Sequence, residues 1–596
     1  MRSMFKRALI AALAAGLVLP AAAQAPAPKR NVIIFVADGL RYGSVTPENM
    51  PNFSKLKAEG VDFTNSHSLY PTQTTVNASA IATGHYIGDT GNFGNTIWMK
   101  KPMISLHGAD LGFLEANGVL TEMNERFGGN YLNETSLMAA ARAAGYQTAI
   151  IGKEGPARIQ DLTANRDGTE TLIVDDETGH EEGFGLPTWF TRAMRAAFFD
   201  PVMPATTQPN ILQQVNQTKA ITRIVLPQFH ENAKPFFILV WSRDPDTTQH
   251  NARDSAGELA PGINSRSALA AARNADSMLG DIRAALKQEG LEGNTDLFVT
   301  ADHGFLTVSR SSATSPSAKL APGTIADLTP GFVAKDLSLT FGLPIRNPGQ
   351  TGASLDLNTN PAIAFGSAIL GRDPAKPEIV VAANAGSNLI YLPNAATAKT
   401  HATEIVNFLL TQDYTGAIFV HDRLGKIAGA LSMSDVNLIG AAKTPAPDIV
   451  ISFRSFLNTG CEIALQCAVG VHDTTQGVGQ GSHGSLSRAE TRNFMAAVGP
   501  SFKNGFANPA PISNADIAPT LARIMGITLP AIGTLKGRVI TEALVDGAPV
   551  TATRDTIVSA PGPGGLRTIL NRQSVGQTHY FDAAGIEGRV VGLTPP

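Results

Sequence analysis

"NVIIFVADG", residues 31–39, is an apolar, β-branched run stopped by an aspartate and a glycine. A strand with no polar alternation is buried on both faces, and such strands belong to parallel sheets covered by helices. The pattern returns in "LFVTADHGF" (297–305), which ends in Asp302, His303 and Gly304, in "PFFILVW" (235–241), which leads to Asp246, and in "TAIIGK", which ends at Lys153. Amphipathic helical segments lie between these runs. One has Pro51 in its first turn and Gly60 as its stop, one begins near Ser136 and stops at Gly145, and two longer ones precede Phe236 and Asp296. The alternation predicts an α/β fold with a mostly parallel central sheet and helices on both faces. In open sheets of this kind ligands sit beyond the carboxyl ends of the strands. Core packing gives no reason to deliver Asp38, Lys153, Asp246, Asp302 and His303 to that rim.

The composition is that of a globular protein: 596 residues, 43% hydrophobic and 16% charged, with a formal net charge of −3. Wholesale disorder is excluded, and no broad basic surface points to a nucleic-acid polymer as partner. The chain opens with Arg2, Lys6 and Arg7, then an apolar stretch from Ala8 to about Leu19, then Ala21, Ala22 and Ala23. That is the pattern of a cleaved signal peptide over residues 1–23, giving a periplasmic or secreted protein with no membrane span once the segment is removed. Cys461 and Cys467 are the two cysteines, and in an oxidising compartment they are expected to form one local disulfide, with two free core thiols as the other reading.

Six carboxylate and imidazole residues fall at strand ends or in glycine-rich loops: Asp38, Asp246, His250, Asp302, His303 and His483. Asp246 and His250 are spaced so that both reach one ion from a loop or a first helical turn. Three carboxylates converging on one cleft repel each other. Two divalent metals relieve that repulsion, and nitrogen and carboxylate ligands without cysteine suit zinc. "YPTQTTVNASAIATG" (70–84) adds Thr74, whose hydroxyl becomes a competent nucleophile only when its pKa is lowered. Alone, Thr74 reads as a helix N-cap. In this company it reads as the nucleophile.

Taken together, these motifs resemble the alkaline phosphatase superfamily, and most of all its nucleotide pyrophosphatase/phosphodiesterase branch. The matching stretches are "VADGLR", "PTQTTVN", "GDTGNFGN", the Asp246 and His250 pair, "ADHG" and the glycine-flanked His483. The resemblance covers about residues 31–305 and 446–545. It implies two metal sites, one of Asp246, His250 and His483, the other of Asp38, Asp302, His303 and the Thr74 oxygen. It further implies that the Asn95 side chain and the Thr75 backbone N–H donate to a phosphoryl oxygen, with Asn92 as the substitute for Asn95. The reaction implied is in-line displacement through a phosphothreonine on a small phosphate-ester substrate. The domain organisation that goes with it is a catalytic core over 24–305 and 446–555, an inserted cap subdomain over 306–445, and a peripheral segment over 556–596.

"GYQTAIIGK" (145–153) departs from the diesterase pattern and resembles the lysine-bearing region of sulfatases and related monoesterases. A Lys153 reaching the site favours a monoester dianion, and a solvated strand-end lysine is the plainer reading. The sulfatase nucleophile motif is absent. Phosphodiesterase is therefore the leading expectation, with phosphomonoesterase or phosphonate hydrolase as the alternative and an inactive metal-bound binding protein after that. Tyr70, Phe93 and Trp98 read as core, with stacking on an organic group as the other use. Most remaining histidines read as structural, and His472 sits nearest the final motif. The oligomeric state is not readable.

Overall fold

The computed structural model describes residues 29–197, 200–320, 327–350, 354–359, 361–458 and 464–595. The expected signal peptide and Cys461 lie outside the described residues; Cys467 is disulfide-bonded.

The centre is an eight-stranded sheet. Its spatial order is Phe506–Asn508, Val61–Phe63, Met495–Val498, Thr295–Thr300, Asn31–Ala37, Phe236–Ser242, Gln147–Gly152 and Leu172–Asp175. The five strands from Thr295–Thr300 to Leu172–Asp175 are parallel, and Met495–Val498 runs against its neighbours. All seven residues of Asn31–Ala37 are buried. Alternate side chains divide between two cores: Val32, Ile34 and Val36 face one, Ile33, Phe35 and Ala37 the other. Helix Arg266–Gln288 closes the second face with Ala275, Met278, Leu279 and Ile282. Helix Thr74–Thr83, buried along its whole length, lies in the first.

Register fixes the rim. Ala37 is level with Ser242, Val36 with Thr300, and Gly152 with Trp241. The residues just past these points therefore emerge side by side. Local punctuation follows the sequence closely: Pro51–Glu59 is a helix with proline in its first turn, and the Ser136 side chain caps Leu137–Ala143 by accepting from the Ala139 N–H. Gly60 acts differently from a left-handed stop. Its φ is −108°, and a Cβ there would lie 2.0 Å from the Ala497 carbonyl oxygen, so the glycine permits close approach of two backbones.

The second half corrects the expected boundaries. Ile449–Phe453, expected to resume the first core, lies inside a separate seven-stranded sheet between Ser387–Tyr391 and Thr415–Val420. A continuous apolar run reads the same in either sheet, so pattern alone could not assign it. The strands that return to the central sheet are Met495–Val498 and Phe506–Asn508. Val380, Leu389, Phe419 and Val450 of the second sheet share one hydrophobic core with the first. The segment 556–596 is likewise integrated. It supplies strands Ile569–Val575 and Thr578–Gly585, and Leu570 and Ala584 enter the same core. Among the described residues no helix is long and apolar enough to cross a membrane.

Phe35 is fully buried and meets Phe53 edge-on at 5.8 Å between ring centres. Phe35→Ala is expected to cost about 3–5 kcal/mol, read as a lowered urea midpoint at unchanged slope.

Candidate metal centre and active site

Asp38 directly follows its strand, and Gly39 accommodates the turn at a φ of 68°. Asp246 opens the short helix Asp246–Asn251, which puts His250 one turn later on the same side. Asp302 and His303 follow Thr295–Thr300, and His483 follows the short strand Gly481–Ser482. Thr74 is the first residue of its helix. All of these residues but His250 are buried, and His250 is partly exposed.

They form two adjoining clusters. In one, His250 Nε2 is 3.2 Å and His483 Nε2 3.6 Å from Asp246 Oδ1. In the other, His303 Nε2 is 3.1 Å from Asp302 Oδ2 and 3.7 Å from Asp38 Oδ1. Thr74 Oγ1 lies 3.2 Å from His303 Nε2, and the His303 and His483 rings stack at 3.6 Å.

Hydrogen bonding tests whether the clusters fit metal ions. The Nδ1 atoms of His250, His303 and His483 face the carbonyls of Gly481, Gly304 and Thr72 at 2.9, 2.9 and 2.8 Å. Each Nδ1 therefore donates to its carbonyl, which turns each Nε2 inward, the arrangement that backbone carbonyls give to metal-ligating histidines. Asp38 Oδ1, Asp246 Oδ1 and Asp302 Oδ2 are buried with no hydrogen-bond partner. Unpartnered carboxylate oxygens and inward-facing imidazole nitrogens thus converge, and divalent cations fit that donor set. A third group, His85, Asp89 and Glu134, is equally compact but fails the same test. Its carboxylates accept backbone N–H groups from Ala441, Leu535, Ile532 and Gly533, so it clamps loops together.

Charge crowding appears in the titration of the carboxylates. Burial, then the charges of Asp246 and Asp302, push Asp38 well above the usual range. Burial also opposes ionisation of Asp246, but Lys153, His250 and His483 outweigh it and hold Asp246 well below. Burial disfavours charge on His303 as well, yet Asp302, Asp38 and Asp246 lift it to about 9. Burial and then the neighbouring His303 and His250 drive His483 well below its ordinary value. Neighbouring groups pushed in opposite directions mark a site short of positive charge.

Lys153 is neither solvated nor free to grip a substrate. Its Nζ is buried 3.0 Å from Asp38 Oδ2, 3.2 Å from Glu115 Oε2 and 3.3 Å from Asp246 Oδ2. Trp241 Nε1 donates to the same Asp38 oxygen at 2.8 Å. Asn95 reaches the site, with one donor engaged: its Nδ2 donates to Glu115 Oε1 at 2.7 Å. The Thr75 N–H donates to Asn95 Oδ1 at 3.0 Å, so in this arrangement it does not point at a phosphoryl position. Asn92 lies behind the helix, donating to the Thr75 carbonyl at 2.6 Å.

Sequence reading missed Glu115, Arg243 and Glu490. Glu490 is fully buried and accepts from Thr72 Oγ1 at 2.6 Å, the Gly484 N–H at 2.7 Å and Ser485 Oγ at 2.8 Å. It ties the turn before Thr74 to the loop bearing His483. Only a buried acid in a Ser- and Gly-rich stretch hinted at it. His472 faces Glu490 at 3.4 Å and does not line the cavity. Tyr70, Phe93 and Trp98 are buried, and Trp98 packs on Tyr391. The cavity over the clusters is about 660 Å³, and its exposed aromatic residues are Phe113 and Phe365.

The fold and this donor set define a class: an α/β protein with paired Asp/His clusters at the carboxyl rim of its sheet and a threonine between them. Residues 32–326 match the family model described as type I phosphodiesterase / nucleotide pyrophosphatase. That family is the branch of the alkaline phosphatase superfamily that the motifs of this chain resemble. Venom phosphodiesterase 2 of Crotalus adamanteus is 26% identical over 298 residues, 48% of this chain and 28% of that protein. A venom phosphodiesterase of Naja atra is 24% identical over 284 residues, 47% of this chain and 26% of that protein. The chain thus spans little more than a quarter of the length of these relatives. A solved structure of murine ectonucleotide pyrophosphatase / phosphodiesterase 5, an inactive form in complex with AMP, aligns with a TM-score of 0.50 at 14% identity. It covers 87% of this chain and 100% of that one, and it shows the fold.

After chelation and dialysis, calorimetry with Zn²⁺ is expected to give two sites per chain. His483→Ala and Asp302→Asn should each reduce this to one, while Glu134→Gln should leave two.

Proposed function

We propose that this protein is an exported, metal-dependent phosphodiesterase with nucleotide pyrophosphatase-like chemistry, using Thr74 as nucleophile. The observation that carries the reading is the placement of Thr74 Oγ1, 3.2 Å from His303 Nε2 at the junction of two Asp/His clusters. Asp246, His250 and His483 would hold one divalent ion, and Asp38, Asp302, His303 and Thr74 the other. Such ions, of which zinc suits the donors, supply Lewis acidity and lower the pKa of a bound hydroxyl.

The residues divide the work. Helix Thr74–Thr83 is locked in the core, so the hydroxyl is aimed without a reorganisation cost at the moment of reaction. Its oxygen attacks phosphorus, the bond to the departing alcohol oxygen breaks, and a phosphothreonine remains. Water then cleaves that bond and returns the hydroxyl. Asn95 Nδ2 keeps one hydrogen beyond its bond to Glu115, and that hydrogen would meet a non-bridging oxygen. Phe113 and Phe365 offer apolar surface to the organic part of the ester.

The monoesterase alternative needs Lys153 as a phosphate-binding cation. Its three carboxylate partners weigh against that use and favour the diester. The inactive-scaffold alternative is weakened by the complete ligand set. Export is supported by the signal-like residues 1–23 and by the disulfide at Cys467.

With zinc present, bis-p-nitrophenyl phosphate is expected to be cleaved in preference to p-nitrophenyl phosphate, and chelation should abolish turnover. Thr74→Ala should lower kcat at least about a thousandfold while zinc binding at the Asp246 cluster persists. Preferential turnover of the monoester would overturn the diesterase reading.

A further inference from the structure

We propose that Glu115 sets the charge of the substrate the cavity accepts: by cancelling Lys153 it selects a singly charged phosphodiester over a doubly charged monoester. The inference rests on the ester-hydrolase reading above.

Glu115 stands just beyond strand Leu111–Phe113, which pairs with Thr96–Trp98 in a two-stranded ribbon beside Asn95. Its side chain is 15% exposed at the cavity wall, whereas that of Lys153 is 2% exposed behind it. Both carboxylate oxygens are committed, Oε1 to Asn95 Nδ2 at 2.7 Å and Oε2 to Lys153 Nζ at 3.2 Å. The contact is built into the backbone. Gly155, two residues beyond Lys153, has a φ of 77°, and a Cβ there would lie 2.5 Å from the Glu115 Cα. The loop carrying the lysine is thereby packed against the residue carrying the acid.

Asp38 and Asp246 also touch Lys153, but each keeps an unpartnered oxygen turned toward the histidines. Glu115 keeps none: its direct contacts are with Lys153 and Asn95, and its charge also favours the nearby Arg243 cation. Arg243, the other lysine or arginine lining the cavity, is held by Asp176, with Nε donating to Oδ2 at 2.8 Å. Both cations therefore have carboxylate partners. With two divalent ions in place, Asp38, Asp246, Asp302 and the Thr74 alkoxide balance the metals. Glu115 then balances Lys153, so the charges around the metal centre sum to zero. Removing Glu115 leaves one uncompensated positive charge, on Lys153 at the lining of the same cavity. In a partly desolvated cleft that charge favours the second negative charge of a monoester by about one to two orders of magnitude.

The test uses the full chain loaded with zinc. Glu115→Gln keeps an oxygen that accepts from Asn95 and removes the charge, and Glu115→Ala serves as the second variant. The ratio of kcat/KM for p-nitrophenyl phosphate to that for bis-p-nitrophenyl phosphate is expected to rise about tenfold or more in each. In a Thr74→Ala background, calorimetric affinity for inorganic phosphate at pH 8 should tighten by a similar factor on adding Glu115→Gln. A smaller change in the ratio in variants that melt cooperatively overturns the inference, as does an unchanged phosphate affinity. If the unmutated protein cleaves neither ester, the proposed function fails instead, and the phosphate arm alone decides the role of Glu115.

Discussion

Three buried aspartates meet at the end of one sheet, and each keeps an oxygen with no hydrogen-bond partner. Much of the surrounding structure is arranged around that excess of electron pairs. Carbonyls of Thr72, Gly304 and Gly481 hold the histidine rings so that each Nε2 points inward. Lys153 lies behind Asp38 and Asp246 and answers part of the charge from the protein side. What remains is a demand for cations, and the threonine hydroxyl stands where that demand is greatest. A chain that only needed to be stable would fill these positions with apolar side chains, because unmatched buried charge costs several kcal/mol per group.

The rigid parts and the adjustable parts of the site come from different sources. The ligands rise from strands whose register is set by burial on both faces, so a slip of one residue would expose a whole row of apolar side chains. The loop with His483 has no such anchor, and Glu490 supplies one through Thr72, Gly484 and Ser485. Glu115 and Arg243 sit further out, at the cavity wall, where a change alters the charge of the pocket without disturbing the sheet. The clamp of His85, Asp89 and Glu134 shows how closely a structural cluster can imitate a metal centre. The two are told apart by whether backbone N–H groups already fill the carboxylate oxygens.

Much of the fold was legible because its signals are local. Strand Asn31–Ala37, helix Pro51–Glu59 and the cap at Ser136 each follow from residues within one element. Ile449–Phe453 was misplaced because its five residues would be buried in either sheet. Among the site residues, the sequence singled out the six Asp and His groups and Thr74, and the structure brings them together. It did not reveal that Thr75 donates to Asn95, that Lys153 is buried among carboxylates, or that Glu490 ties the His483 loop to Thr72. Each of those depends on a partner more than ten residues away, and spacing along the chain carries no information about such partners.

By itself, then, the sequence determined which residues end buried strands, which helices cover them, and which chemical groups arrive at the rim. Periodicity and turn chemistry encode those outcomes directly. Only the tertiary structure decided which oxygen of each aspartate stays unpartnered, which acid neutralises Lys153, and which sheet receives each ambiguous strand. Those outcomes depend on distances of a few ångströms between residues as far apart as Lys153 and Asp38 or Thr74 and His303. Coulomb and hydrogen-bond energies are settled at that scale, after the chain has closed on itself.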